Sequence, residues 1–224
     1  YLILVISISL LPAIPCPAQP RPVNYKLEVE LLPPAASLLA KETLVWTNLS
    51  QDYIPDMYFH LYWNAFKNEL STLAREARQE KYFKRYRTKE EAWGWIKITS
   101  LTTADGHDLL ASATFISPDE PPNPHDQTVL RIILPEPLGP GQSIKLNIEF
   151  QAKVPRNGLR TGHYKDGFFI SQWFPKPGVY EEGKGWNCHE YHLNSEFFAD
   201  FADFEVRITV PSELVVGACG EEIK

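Results

Sequence analysis

The sequence predicts a mainly β protein, either an antiparallel sandwich or a saddle-like curved sheet, with one helical insertion. Three stretches carry this reading through a period of two, which sends alternate side chains to opposite faces of a strand. In residues 23–31, Tyr25, Leu27, Val29 and Leu31 fall on one side and Asn24, Lys26, Glu28 and Glu30 on the other. Residues 143–154 repeat the pattern with Ile144, Leu146, Ile148 and Phe150, and residues 204–210 with Phe204, Val206, Ile208 and Val210. Each apolar row is expected to face a core.

Shorter strands are expected at residues 42–46, 57–63, 95–101, 128–134, 168–173 and 214–216, many of them separated by turns containing Pro or Gly. Strands at this spacing favour antiparallel pairing over a β-α-β arrangement. The helical insertion is expected over residues 70–91, which hold strong helix formers, no Pro or Gly, and Leu73, Ala77 and Phe83 loosely on one side. Its basic residues Lys81, Lys84, Arg85, Arg87 and Lys89 are interleaved with Glu76, Glu80, Glu90 and Glu91, the pattern of a solvated face. Residues 117–126, with four prolines and three acids, read as an exposed loop.

Composition bounds the function. A chain of 224 residues that is 44% hydrophobic and 22% charged has the balance of one globular domain. Its formal net charge of -6 gives no general attraction for nucleic acid or anionic lipid, which reward clustered Lys and Arg. The chain opens on Tyr1, and residues 1–11 are almost wholly apolar. That run falls short of the roughly 20 residues of a bilayer span but suits the apolar core of a secretory signal, whose charged start is missing. A membrane anchor or a buried strand is the alternative. Cys16 and Ala18 stand at the -3 and -1 positions of a cleavage site before Gln19. Residues 1–18 are therefore expected to be a signal peptide and residues 19–224 a β domain, exported to the periplasm, cell surface or exterior, with no strong membrane signal after cleavage. Export would leave Cys188 and Cys219 in an oxidising compartment, where a disulfide and two free thiols are both open.

No catalytic or metal constellation can be assigned in the stretch. His189-Glu190-Tyr191-His192 is the nearest to a zinc-hydrolase pattern, yet H-E-x-x-H needs its histidines at i and i+4 on one helix face, and Leu193 holds that place. On a strand, His189 and His192 would face opposite ways. None of the six histidines has a context that names a nucleophile, and Gly139 to Gly141 is a turn without the Lys and helix of a phosphate loop. Asn48-Leu49-Ser50 matches a glycosylation sequon, a pattern too short to argue from alone. Aromatic residues crowd two patches, residues 58–66 and 168–201. Their area exceeds what one short sheet needs, so a core, a surface packed on another domain and a lined groove all remain open.

At these patches the sequence resembles the N-terminal domain of the aminopeptidase-N-type (gluzincin) zinc metallopeptidases, in their bacterial form. Asn24-Tyr25-Lys26-Leu27-Glu28-Val29 and Glu42-Thr43-Leu44-Val45-Trp46-Thr47-Asn48 look like that domain's first hairpin. Phe59-His60-Leu61-Tyr62-Trp63-Asn64-Ala65-Phe66 looks like the next strand, and Gln172-Trp173-Phe174-Pro175-Lys176-Pro177-Gly178-Val179-Tyr180 with Ser195-Glu196-Phe197-Phe198-Ala199-Asp200-Phe201 extends the likeness. Phe204 to Pro211 and Val215-Val216-Gly217-Ala218 resemble the strand-turn-strand that follows, so the likeness runs from about residue 23 to 220. The resemblance implies a noncatalytic portion that packs on a downstream catalytic domain and walls a peptide cleft. It places zinc, H-E-x-x-H and a further Glu in that separate domain, where metal-bound water would attack a peptide carbonyl. Family members hold the substrate's free amino group with a Gln and a Glu in a T-Q-x-E-like stretch. Ser171-Gln172-Trp173-Phe174 keeps the Gln and has Phe174 in place of the Glu, so Gln172 is the one substrate-binding candidate carried over and exopeptidase preference is in doubt. The competing reading is a stand-alone exported β-sandwich that binds protein or carbohydrate through its aromatic surface.

Overall fold

Alternation of apolar and polar side chains builds the first hairpin. In the computed structural model, which describes residues 21–80, 89–156 and 160–223, strands β1 (Val23–Leu32) and β2 (Ser37–Thr47) pair antiparallel around a short 3-10 turn at Pro33–Ala35. β1 buries every second residue from Val23 to Leu31, as the period of two requires. β7 (Ser143–Lys153) joins β2, and β4 (Trp95–Thr103) joins β7. With β13 (Ala202–Thr209) on the far side of β1, the sheet runs β13-β1-β2-β7-β4.

A second sheet, β10-β3-β6-β5, packs against its inner face. It is built from β3 (Ile54–His60), β6 (Val129–Leu138), β5 (Thr114–Phe115) and β10 (Lys176–Pro177). The core between the sheets holds Leu27, Leu38 and Leu44 from one side and Met57, Phe59 and Ile132 from the other, all fully buried. Two small hairpins, β8 (Gly162–Tyr164) with β9 (Gly167–Phe169) and β11 (Val179–Glu181) with β12 (Gly185–Asn187), complete the strands. The expected mainly β fold with antiparallel sheets and one helix is the fold observed.

The departures from expectation have local causes. The helix α1 spans Thr72–Gln79, far less than residues 70–91: Glu80 turns to an extended ψ of 131° and ends it, residues 81–88 lie outside the described residues, and Glu90–Ala92 is a separate 3-10 turn. What starts α1 is Ser71, whose hydroxyl accepts from the Ala74 backbone N-H, while Leu73, Ala74 and Ala77 are its buried face. Of residues 168–173 only the first two are in a strand, β9. Residues 214–216 form none, because the Leu214 N-H closes a turn onto the Pro211 carbonyl. The signal peptide expected over residues 1–18 lies outside the described residues. Finally, β13 lies parallel to β1, not antiparallel, an arrangement open to strands that share no hairpin.

The register of β13 sets Phe204 beside Tyr25, Val206 beside Leu27 and Ile208 beside Val29. Its predicted apolar row is therefore on the core-facing side. Phe204 stacks on Tyr25 with centroids 4.8 Å apart. Even so Phe204, Val206 and Ile208 remain 54%, 43% and 41% exposed, because no strand of the second sheet covers them among the described residues.

Candidate functional site

The turn that precedes β10 carries Gln172. Its φ of 54° lies in the left-handed region, which a residue with a Cβ occupies at a cost of about 1–2 kcal/mol, so the surrounding contacts must hold it there. Two do. The Lys176 ammonium donates to the Gln172 side-chain oxygen, and Trp173 and Phe174 anchor the residues after it, Trp173 against Phe150 and Phe174 edge-on to Tyr25 at 5.2 Å. Phe174 is thus a core residue in the place where a Glu would be expected by resemblance. Gln172 already spends its carbonyl on an ammonium of its own chain.

Lys176 is itself mostly buried, with its Nζ 4.8 Å from the Phe174 ring centroid. Burial pulls its pKa down to about 8, against the attraction of Glu42. Glu42 sits on the apolar phase of β2, between Ala40 and Leu44, wholly buried and with neither carboxyl oxygen hydrogen-bonded among the described residues. Burial raises its pKa well above the usual carboxylate range, Lys176 opposing, so its neutral form is favoured. Opposite Lys176 in register stands His60 of β3, stacked on Tyr62 at 4.6 Å, with both ring nitrogens unpartnered among the described residues; burial first, then the nearby Lys176, lowers its pKa to about 3.

Beyond His60, residues 188–198 run as irregular backbone, and they bring His189 and His192 to one carboxylate. His189 Nδ1 lies 2.6 Å from Asp119 Oδ1, and His192 Nε2 lies 3.0 Å from Asp119 Oδ2, to which the Glu190 N-H also donates at 2.8 Å. His192 Nδ1 meets Glu76 of α1 at 2.6 Å. Both His192 nitrogens therefore donate to carboxylates; burial disfavours its charge, but these two bonds prevail and raise its pKa. Burial pushes the Asp119 pKa up, but the bonds from His189, His192 and the Glu190 N-H outweigh it and hold the carboxyl below the ordinary range. The geometry differs from the strand expectation, in which the two rings would diverge, because this segment is not a strand. Glu190 completes the cluster by accepting from the Thr72 hydroxyl. Among the described residues no group of three or more His, Cys, Asp or Glu is placed to hold a metal ion.

The aromatic patches divide. Phe59, Tyr62, Trp63 and Phe66 of the first are core, as are Phe174 and Tyr191 of the second, whereas Phe169, Phe198 and Phe201 are exposed, Phe201 by 81%. Cys188 is buried and Cys219 exposed, and among the described residues neither is in a disulfide. The sequon residue Asn48 is fully buried, donating its amide to the carbonyls of Asp52 and Leu138, so this side chain is unavailable to a glycan in the folded chain.

No protein-family model matches the chain, and no curated protein does. Solved structures do. The chain is similar to M1 zinc metallopeptidases over a third of their length. The M1 zinc metallopeptidase of Deinococcus radiodurans matches at 16% identity and TM-score 0.42, over 86% of this chain and 33% of that one. A two-domain M1 zinc metallopeptidase mutant bound to L-arginine matches at 15% and 0.42, over 85% and 33%, and one bound to L-tryptophan at 16% and 0.42, over 86% and 34%.

Sequence reasoning named His189, Glu190 and His192 but missed Glu76, Asp119 and Lys176. Glu42 carried a legible signal, a lone acid on the buried phase of a strand. Asp119 carried none, since its loop reads only as Pro-rich and exposed.

Proposed function

We propose that these residues are the noncatalytic N-terminal portion of an exported zinc metallopeptidase of aminopeptidase type, and that they pack on its catalytic domain and wall the substrate cleft. The observation that carries the reading is the uncovered core-facing row of β13, Phe204, Val206 and Ile208. An apolar sheet face of this kind is what a second domain buries. The ordered likeness of residues 23–220 to the family's N-terminal domain supplies the kind of domain. The residues present do not fit zinc: both His192 nitrogens and the Asp119 carboxylate are committed to one another and to Glu76, and we place the metal in the catalytic part.

Gln172 reaches a substrate only if Lys176 yields its carbonyl or the substrate uses the amide N-H₂, which favours an acceptor group on the substrate over a free amine. The test is made on the intact gene product, purified from its source. The reading expects bound zinc near one per chain, hydrolysis of peptide substrates, and an H-E-x-x-H with a later Glu encoded beyond residue 224. Absence of that motif from the gene refutes it and leaves a stand-alone binding module.

A further inference from the structure

We propose that the cavity between the edge strands β4 and β5 binds a small monocarboxylate carried on an apolar chain or ring. β4 ends the first sheet and β5 the second, and the space between them measures ≈ 450 Å³, within the range of small-molecule pockets. Leu61, Ile96 and Leu130 line it as buried apolar side chains, and Phe115 of β5 adds an aromatic ring that is 43% exposed. The charged side chains in the lining are both lysines, Lys67 and Lys97, with no acid beside them, although Asp and Glu outnumber Lys and Arg by 28 to 22 in the chain.

Lys67 follows the 3-10 turn Tyr62–Phe66, where its backbone N-H closes onto the Asn64 carbonyl. Its ammonium donates to the Gln127 side-chain oxygen and stands 5.9 Å from the Phe115 ring centroid, so the charge lies among lining residues. Asn64 fixes this corner by accepting from the Ile96 N-H at 2.9 Å and donating to the Gln127 carbonyl at 2.8 Å. An ammonium has three N-H donors, and among the described residues Gln127 takes one of those of Lys67. Lys97, exposed on β4, has no ion pair among them. Burial, then nearby Lys97, lowers the Lys67 pKa, as expected of a cation with no carboxylate beside it.

The acids close to these residues in sequence or register do not fill that role. Glu69 pairs with Arg78, Asp126 accepts from the Thr72 N-H and from Thr128, and Glu149 of β7 pairs with Lys41. Glu90 and Glu91, in the turn before β4, are exposed and do not line the cavity. Of the further cations on these strands, Lys153 donates to the Glu90 carbonyl and Arg131 pairs with Asp56. A carboxylate would accept from the N-H donors left at Lys67 and Lys97, while its apolar body displaces water from Leu61, Ile96 and Leu130. The inference does not rest on the peptidase reading.

The test is calorimetric titration of the purified full-length protein near neutral pH with 4-phenylbutyrate, with 4-phenylbutanol and 4-phenylbutylamine as comparison ligands. We expect saturable 1:1 binding of the carboxylate, weakened by added salt, with the alcohol weaker and the amine weakest. Lys67→Met should weaken the carboxylate roughly tenfold or more and leave the alcohol nearly unchanged, a difference that loss of a charge-assisted hydrogen bond makes and collapse of the cavity does not. Lys97→Gln alters an exposed side chain, so it is expected to fold as the wild type does and to weaken the carboxylate about threefold. Melting curves check both variants. Absence of saturable 4-phenylbutyrate binding overturns the inference. So does equal affinity for the alcohol or the amine, or an unchanged affinity for the carboxylate in Lys67→Met or, where that variant does not fold, in Lys97→Gln.

Discussion

His60 makes stability depend on pH in a way that one substitution can isolate. The unfolded chain protonates this imidazole near its ordinary value of 6.5, whereas the folded chain resists protonation down to about pH 3. Between those values the unfolded state binds more protons, so stability rises with pH and is lost as pH falls through 6.5. Integrating from about pH 7.5 to about pH 5 gives a loss on the order of 2 kcal/mol from His60 alone. Other groups titrate in the same window: His192, with its raised pKa, acts in the opposite sense and loses stability as pH rises. Hence the difference between two proteins is the quantity to measure. His60→Phe keeps a ring against Tyr62 and removes both unpartnered nitrogens. Urea unfolding of both proteins at the two pH values should show the wild type losing about 2 kcal/mol more than His60→Phe on acidification, with the variant no less stable at about pH 7.5. Equal losses would refute the claim that His60 is buried neutral.

Other outcomes follow from single contacts. Glu42→Leu should stabilise the protein by about 1–3 kcal/mol at neutral pH, because a buried carboxyl without a partner is replaced by apolar volume. Since the folded Glu42 pKa is raised, that gain should shrink as pH falls toward 4.5, which denaturant melts at acid and neutral pH would check. Ser71→Ala removes the cap of α1 together with a hydrogen bond to the Ala65 carbonyl and should cost about 1–2 kcal/mol in the same assay. Asn48→Ala leaves two part-buried carbonyls, Asp52 and Leu138, without their donor and should cost about 1–2 kcal/mol. In a full-length protein, Phe204→Asp should expose β13 to protease without unfolding the β1-β2 hairpin, a difference that limited proteolysis with mass mapping would detect.

The parts of the fold written locally were legible. Strands β1, β7 and β13 announce themselves by alternation, and the register of β13 against β1 places Phe204, Val206 and Ile208 on the predicted side. What a period of two does not contain is the layer above. It says which face is apolar and is silent on whether a second sheet reaches it, so β13 reads the same as β7 although its row is exposed and that of β7 is buried. The helix is harder to bound: propensity over residues 70–91 is nearly uniform, and no Pro or Gly marks the end after Gln79, where Glu80 turns to an extended conformation.

The site was half legible, and the missing half is long-range. His189-Glu190-Tyr191-His192 drew attention because imidazoles and a carboxylate lie close in sequence, yet their partners come from 70 residues away at Asp119 and 116 away at Glu76. Those partners decide the chemistry. With Asp119 across both rings, both His192 nitrogens are committed to carboxylates and His189 is tied through Nδ1, which turns a would-be metal motif into the wall of a cavity. The same logic governs Gln172: its identity is legible, but Lys176 four residues on determines that its carbonyl is occupied and its amide free. A variant that returns the carbonyl, Lys176→Met, should therefore relax the φ of 54° at Gln172 and, under the peptidase function proposed above, move substrate preference toward free amines in the full-length protein. Kinetics with N-blocked and unblocked peptides would show it as a change in the ratio of their kcat/KM values, and an unchanged ratio would place Gln172 outside the substrate's reach.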